Sequence, residues 1–260
     1  MPKNDPRDPH WTDQGQGLPL VFVHGFPLSR GCWQPQVDDL SSSFRVIAPD
    51  LPGFGGRPAA PAVGTMDSFA DDVASLLAEL DTEPVVLAGH SMGGYIALAF
   101  ARRHPELLRG LVLAATRSGR DTDEAAAGRR ETAEKVRAGG IEVVVEAMVP
   151  KMLAPVNRDS ESLAAIRGLM MSSSRDGVIG ALLGMADRPD STPGLSELAV
   201  PTLVVTGADD EVMAPAESAA LAAAIRGSRL EVIPDAGHMV AWEQPAAFSQ
   251  ALRDWLGDVG

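Results

Sequence analysis

The sequence predicts an α/β protein in which helices flank a mostly parallel central sheet and a helical cap is inserted near the middle of the chain. In the first half, short β-branched runs alternate with longer helical patterns, which is typical of strand–helix–strand units around a parallel sheet. From residue 117 to 193 the chain is instead rich in Ala, Arg, Glu, Leu and Met. We therefore expect a core made of residues 1–116 and 194–260 and a cap made of residues 117–193.

Apolar runs bounded by Gly or Pro predict the strands of this sheet. In chain order they lie at 18–23, 44–48, 84–88, 110–114, 201–206 and 229–233. Helical periodicity predicts the helices at 34–40, 66–80, 92–104 and 245–256. The short run 143–145 is ambiguous between strand and helix. Prolines at 189, 193 and 201 return the chain from the cap to the sheet, because proline cannot continue a helix.

The composition is that of a soluble globular chain, since 45% of the 260 residues are hydrophobic and 22% are charged. Lys and Arg number 22 against 35 Asp and Glu, so the formal net charge is −13 and the surface repels nucleic-acid backbones and anionic lipid. We therefore expect neither nucleic acid nor a membrane as a partner. The single cysteine, Cys32, forms no internal disulfide, and the five histidines lack metal-ligand spacing, so no metal or other cofactor is expected.

The N-terminal residues up to Gln16 are polar and lack the basic start and apolar run of a secretory signal. No apolar stretch reaches the roughly 20 residues that a membrane-spanning helix needs. Both observations predict a cytoplasmic protein. The sequence leaves open whether the chain is a monomer or a homodimer.

The most specific motif is a G-x-S-x-G run between the predicted strand 84–88 and the helix that follows it. A serine at such a sharp turn is forced toward positive φ and needs very small neighbours two residues away, which Gly89 and Gly93 supply. Ser91 is therefore the candidate nucleophile. The N–H of Met92, at the positive end of the helix dipole, is a candidate donor to an oxyanion.

A serine hydroxyl needs a base, normally a histidine that a carboxylate holds in the right tautomer. His238 is the candidate base, because it lies in the loop after the last predicted strand, from which it can reach over the sheet edge. The candidate acid follows the strand 201–206, where Asp209, Asp210 and Glu211 compete. We prefer Asp210, with Asp209 as the alternative, and the chain order Ser, acid, His is that of serine hydrolases built on this kind of sheet.

A second oxyanion donor is expected in the loop after the first predicted strand. In the run from His24 to Pro27, Gly25 permits a turn and the N–H of Phe26 can point at the same site as that of Met92. Pro27 has no N–H and cannot be the donor. The alternative is an ordinary turn that ends a strand.

Together these motifs resemble the α/β-hydrolase superfamily over about residues 11–256. The matching runs are 24–27, 49–55, 89–94, 207–210 and 235–238. In that family the acid is usually the last residue of a G-x-x-D stretch, and the resemblance assigns this place to Asp210. The chain is most similar to the capped, cofactor-free group that includes 3-oxoadipate enol-lactonases and related carboxylesterases. It departs from the usual pattern at Gly56 and Arg57, where the family usually has a serine.

Serine chemistry implies acyl transfer, and we expect hydrolysis of a carboxylic ester or lactone of a small, mainly apolar molecule. The candidate substrate-binding residues are Trp33, Met148, Met152, Met185, Met239 and Trp242. Methionine suits varied apolar groups, although methionine at helical spacing is more often plain core. A charged substrate, held by a cap arginine such as Arg167 or Arg175, would favour enol-lactonase activity. C–C bond hydrolysis and perhydrolysis by the same residues stay open, and a catalytically silent ligand-binding protein is the non-enzyme alternative.

Overall fold

The computed structural model describes residues 10–60 and 64–259, so the first nine residues of the predicted polar N-terminus lie outside the described part. Seven strands form one sheet. They are β1 (Trp11–Gln14), β2 (Pro19–Val23), β3 (Arg45–Pro49), β4 (Val85–His90), β5 (Leu108–Ala114), β6 (Thr202–Gly207) and β7 (Arg229–Ile233). Their spatial order is β1-β3-β2-β4-β5-β6-β7. β1 is antiparallel to β3, and the other neighbours are parallel.

Ten α-helices surround the sheet in the described part of the chain. They are α1 (Gln34–Leu40), α2 (Met66–Glu79), α3 (Met92–Arg103), α4 (Asp123–Gly139), α5 (Glu142–Met148), α6 (Ser160–Met171), α7 (Arg175–Ala186), α8 (Pro215–Ala224), α9 (Val240–Glu243) and α10 (Pro245–Val259). None of the helices in residues 10–60 and 64–259 is both long and apolar enough to cross a bilayer.

The core lies on both faces of the sheet, because the central strands are buried on each side. In β2, Leu20 and Phe22 join one hydrophobic cluster, whereas Val21 and Val23 join the other. This alternation is the period-2 pattern of a strand with two covered faces. α2, α3 and α8 cover one face, and α1 and α10 cover the other.

The predicted α/β class is confirmed, with the six predicted strands present within a few residues of their expected bounds. Sequence reasoning did not predict β1 as a strand, because it is four residues long, partly exposed and paired on one side only. It also gave no helix at α8. The ambiguous run 143–145 lies in α5, where Val144 and Val145 are buried and Val143 is exposed.

Between β5 and β6 the chain, all of it described, forms helices and loops without a strand. This segment includes α4 to α7, and α4 packs along α7. The predicted beginning of the cap at 117 falls in the loop after β5. Its predicted end at 193 falls within the 3-10 helix Thr192–Glu197.

Candidate active site

The turn between β4 and α3 carries Ser91 in a backbone conformation that L-residues rarely adopt. Its φ is 52° and its ψ is −113°, so the positive φ that the sequence predicts is present. A Cβ on Gly89 would lie 2.1 Å from the carbonyl oxygen of Gly93, and a Cβ on Gly93 would lie 2.3 Å from that of Val23. Strand and helix therefore approach so closely that only glycine fits at these two positions.

The end of β5 braces this turn from the side. The N–H of Ser91 donates to the carbonyl of Ala114 at 2.8 Å, and the carbonyl of Ser91 accepts from the Thr116 hydroxyl at 2.8 Å. With both backbone groups held, the Ser91 side chain is presented at the carboxyl edge of the sheet, half-buried. α3 begins directly afterwards, and the first N–H groups of a helix have no partner within the helix. The N–H of Met92 is one of these groups.

Asp210 follows β6 and forms the acidic end of the site. Its Oδ2 accepts a hydrogen bond from Nδ1 of His238 at 2.9 Å, and its Oδ1 accepts from the N–H groups of Val212 and Met213, both at 2.8 Å. Burial alone would raise the pKa of Asp210, but the charge and hydrogen bond of His238, with the two N–H groups, hold that pKa below its ordinary value. Asp210 is thus an ionised carboxylate. Asp209 is exposed, so the structure brings Asp210 to the histidine.

His238 lies in the loop after β7 and is buried. Because Nδ1 donates to Asp210, Nε2 is the ring nitrogen that can take a proton. The ring of His238 lies 4.8 Å from that of His90, the residue before the serine, so the histidine stands beside the turn. Two other histidines have separate partners: His24 accepts from the N–H of Leu51, and His104 pairs with Asp71.

His90 makes a contact with the loop of His238 that the sequence did not predict. Its Nε2–H donates to the carbonyl oxygen of His238 at 2.8 Å. Burial, and then the neighbouring charge of His238, lower the pKa of His90 to about 3. The ring is therefore neutral and acts as a fixed hydrogen-bond donor that ties the serine turn to the loop of His238. The G-x-S-x-G motif gives no sign of this contact, because its partner His238 is 148 residues away in the sequence.

The loop after β2 faces the same edge of the sheet. It contains Gly25 and a buried Phe26, and the N–H of Leu28 closes a turn by donating to the carbonyl of Gly25 at 2.9 Å. Phe26 and Pro27 are joined by a cis peptide bond. A side chain at Gly25 would collide with the ring of His90, because its Cβ would lie 2.6 Å from Nδ1. The loop therefore packs directly against the turn that carries Ser91.

Of the six predicted substrate-binding residues, Met152 and Met239 lie at the loop that carries His238, and Met148 lies between the two hydrophobic clusters. Met239 is buried and its N–H donates to the carbonyl of Met152 at 3.0 Å. Met152 itself is buried in the same hydrophobic cluster, and Met148 contacts both clusters from a half-buried position. The structure therefore brings Met152 and Met239 together next to His238.

The remaining three are placed differently. Met185 is buried, and its sulfur accepts from Nη1 of Arg129 at 3.5 Å. Trp242 is half-buried against the cluster that contains Met239. Trp33 packs among aromatic rings and is as buried as Met152. Its ring lies 4.9 Å from that of Phe22 and 5.7 Å from that of Phe248, and the residue is 1% exposed.

A surface cleft of about 290 Å³ lies elsewhere, between the second half of α3 and the 3-10 helix Thr192–Glu197. Leu98, Arg102, Asp190 and Glu197 are among the residues that line it. None of the candidate catalytic residues is at this cleft, so it is separate from the site at Ser91.

Similarity to known proteins identifies the family. The family model for the alpha/beta hydrolase fold matches residues 19–245. A thermophilic esterase from Thermogutta terrifontis, solved with malate bound, is 45% identical, with 96% of this chain and 93% of that chain covered and a TM-score of 0.92. The enol-lactonase from Burkholderia xenovorans is 28% identical, with 95% and 96% covered and a TM-score of 0.87. The pimeloyl-(acyl-carrier protein) methyl ester esterase of Chromobacterium violaceum is 30% identical over 93% of this chain and 95% of its own. The chain belongs to the α/β-hydrolase fold family.

Proposed function

We propose that this chain is a serine hydrolase that cleaves a carboxylic ester or a lactone of a small, mainly apolar molecule through an acyl-enzyme on Ser91. One observation carries the proposal: the ionised Asp210 holds His238 by Nδ1, beside a serine in a strained turn. An imidazole oriented in this way is the base that a serine hydroxyl requires. Similarity to esterases and an enol-lactonase supports the class of substrate.

In the first half of the reaction, Ser91 Oγ attacks the carbonyl carbon while its proton passes to Nε2 of His238. The carbonyl oxygen becomes an oxyanion, which the N–H groups of Met92 and Phe26 are proposed to bind. Asp210 stabilises the imidazolium that forms and does not itself take the proton. The C–O bond to the alcohol then breaks, and the proton on Nε2 goes to the leaving oxygen. Ser91 is left as an ester of the acyl group.

In the second half, a water molecule replaces the alcohol. His238 takes a proton from the water as its oxygen attacks the acyl carbon, and returns that proton to Ser91 Oγ when the bond to the serine breaks. The products are the free acid and the regenerated hydroxyl. For a lactone the alcohol and the acid remain in one molecule, so the two substrate classes share every step and differ only in the pocket.

Hydrolysis of p-nitrophenyl esters from acetate to decanoate tests this proposal. We expect turnover that depends on acyl length, a loss of about 10⁶-fold in kcat for Ser91→Ala, and covalent labelling of Ser91 by an organophosphonate. Asp210→Asn should lose about 10⁴-fold in kcat because the imidazole tautomer is no longer fixed. The matched control, Asp209→Asn, should keep wild-type kcat.

Labelling of Ser91 without turnover of any linear ester would direct the search to lactones. If Ser91 takes no label and no ester or lactone is turned over, the proposal is contradicted and a silent binding protein is favoured. A loss in Asp209→Asn as large as that in Asp210→Asn would show that the acid has been assigned to the wrong residue.

A further inference from the structure

The carboxylate of Glu243 lies between the cap and the loop that carries His238. Its Oε1 accepts from the N–H of Gly237 at 2.8 Å. Its Oε2 accepts from the N–H of Ala154 at 2.7 Å and from Nδ2 of Asn157 at 2.8 Å. One side chain therefore joins the residue immediately before the candidate base to two residues of the segment 152–158 in the cap.

Further contacts hold the same two segments together. The N–H of Met239, the residue after the base, donates to the carbonyl of Met152 at 3.0 Å. Asn157 Nδ2 also donates to the carbonyl of Asp235 at 2.8 Å. A Cβ on Gly237 would lie 2.4 Å from the nitrogen of Ala154, so the two backbones are in close contact. The cap segment 152–158 thus contacts the loop that carries His238 on both sides of that residue.

The cap segment also reaches the loop of the acid. Arg158 pairs with Glu211, the residue after Asp210, with 2.8 Å between Nη2 and Oε1. Both loops that carry the candidate acid and base are therefore attached to residues 152–158. Glu243 is the central link, because its carboxylate accepts from donors in the segment 152–158 and in the loop of His238.

We propose that Glu243 is a positioning residue that holds the segment 152–158 and the His238 loop as one unit, and so keeps the imidazole aligned between Asp210 and Ser91. This inference rests on the proposed function. Backbone N–H groups in contact with a packed cap need an acceptor, and a carboxylate satisfies three donors at once where an amide cannot. Without it, the loop would shift to find other partners, and a small misplacement of a catalytic group costs a large factor in rate.

Glu243→Gln is the direct test, because it keeps the size of the side chain and replaces one acceptor oxygen with an NH₂ group that faces N–H donors. We expect kcat for p-nitrophenyl esters to fall by about 10-fold or more, with a much smaller change in KM. Glu146→Gln is the matched control, since Glu146 is an exposed cap residue that pairs with Arg167. It should keep wild-type kcat and KM.

Hydrogen–deuterium exchange measured by mass spectrometry reports the coupling without any turnover. Peptides that contain Gly237 and Ala154 should both exchange faster in Glu243→Gln than in the wild type, while peptides of the central strands should not change. Asn157→Ala removes only the side-chain donor from the cap, and should lower kcat by a smaller factor. Asn157→Ala tests the same link if Glu243→Gln does not fold.

A kcat for Glu243→Gln equal to that of the wild type overturns the proposal, and so does faster exchange confined to one of the two segments. Equal losses in Glu243→Gln and Glu146→Gln would overturn it as well, since the effect would then belong to the cap as a whole. If the wild type turns over no ester or lactone and Ser91 takes no label, the proposed function fails. The exchange measurement still decides whether Glu243 couples the two segments.

Discussion

The serine turn and the helical segment between β5 and β6, which the sequence predicts as a cap and which is called so below, are held in place by different means. In the turn, backbone packs on backbone, and the glycines at 89 and 93 are required because any larger side chain would overlap a main-chain carbonyl. In the cap, ion pairs join elements that are separated along the chain, in addition to apolar packing. The turn can therefore be recognised from a short motif, whereas the placement of the cap depends on partners that no local pattern identifies.

One buried carboxylate is the centre of the cap's attachment to the core. Asp121 accepts from Nη2 of Arg117 at 2.8 Å, from Nε of Arg129 at 2.5 Å and from Nη1 of Arg188 at 2.8 Å. These arginines come from the loop after β5, from α4 and from the segment after α7. Arg188 also lies over the ring of Tyr95 in α3, 4.1 Å from its centroid. The two ends of the cap are thus joined to the helix that follows Ser91.

Asp121→Asn should have the largest effect on stability. Three guanidinium groups would share an amide in place of their carboxylate, and breaking a buried pair costs about 4 kcal/mol of unfolding free energy. Urea unfolding of the purified variant measures this loss. Asp187→Asn is the control, because Asp187 pairs with Arg130 at an exposed position and should change stability by no more than about 0.5 kcal/mol.

Similar losses of unfolding free energy in Asp121→Asn and Asp187→Asn would mean that the buried carboxylate stabilises the fold no more than a surface ion pair does. A further readout sharpens it: limited proteolysis of Asp121→Asn at low urea should cut within residues 117–193 before the core is cut. Cleavage that begins in the sheet would show that Asp121 supports the core and not the cap.

Gly93→Ala tests the turn itself. The new Cβ would lie 2.3 Å from the carbonyl oxygen of Val23 and 2.8 Å from that of His24, so strand or helix must move. We expect the unfolding free energy to fall by about 3 kcal/mol. Under the proposed function, the folded fraction of the same preparation should also lose turnover of p-nitrophenyl esters. Gly128→Ala is the matched control in another helix, where nothing lies within 4 Å of the added Cβ.

The control should be stabilised by about 0.5 to 1 kcal/mol, because alanine replaces glycine in an exposed helix interior. Opposite signs in the two glycine variants would support the view that close approach, and not flexibility, requires glycine at position 93. Equal changes in the two variants would contradict it.

What the sequence could predict follows the same division. The strands were predicted because burial on both faces leaves continuous apolar runs in the chain. Ser91 was predicted as the nucleophile because a tight turn leaves paired glycines. Asp210 and His238 were predicted as acid and base because they follow strands whose carboxyl ends meet at one edge. Glu243 was missed, since its partner Ala154 is 89 residues away and no spacing indicates the pair. Trp33 stays a predicted lining residue, because composition alone does not distinguish an aromatic core residue from a lining residue.

The stability of the two regions should depend differently on pH, because the buried titratable groups near the turn are histidines and the one that anchors the cap is a carboxylate. Burial, opposed by a hydrogen bond to the carbonyl of Gly25, lowers the pKa of His24 to about 4, and burial and the charge of His238 lower the pKa of His90 to about 3. Burial alone would raise the pKa of Asp121, but the hydrogen bonds and charges of Arg129 and Arg188 hold it below its ordinary value of 3.8. The histidines near the turn are thus neutral in the folded protein, whereas the anchor of the cap is ionised.

The sign of each contribution follows from which state binds protons more readily. As pH falls below about 6.5, the unfolded chain protonates both histidines and the folded protein does not, so stability falls until about pH 4 for His24 and about pH 3 for His90. Asp121 stabilises the fold above its ordinary pKa and loses that contribution as pH falls through its lower folded pKa. The turn should therefore weaken at a higher pH than the cap.

His90→Gln gives the smallest effect and isolates one of these groups. Its amide can still donate to the carbonyl of His238, but it does not titrate. Between pH 6 and 4.5 the unfolding free energy of the wild type should fall more steeply than that of the variant, by up to about 1.4 kcal/mol per pH unit. Urea unfolding at several pH values measures both slopes. Equal slopes would mean that His90 is protonated in the folded protein, and that the serine turn is no more sensitive to mild acid than the ion pairs that anchor the cap.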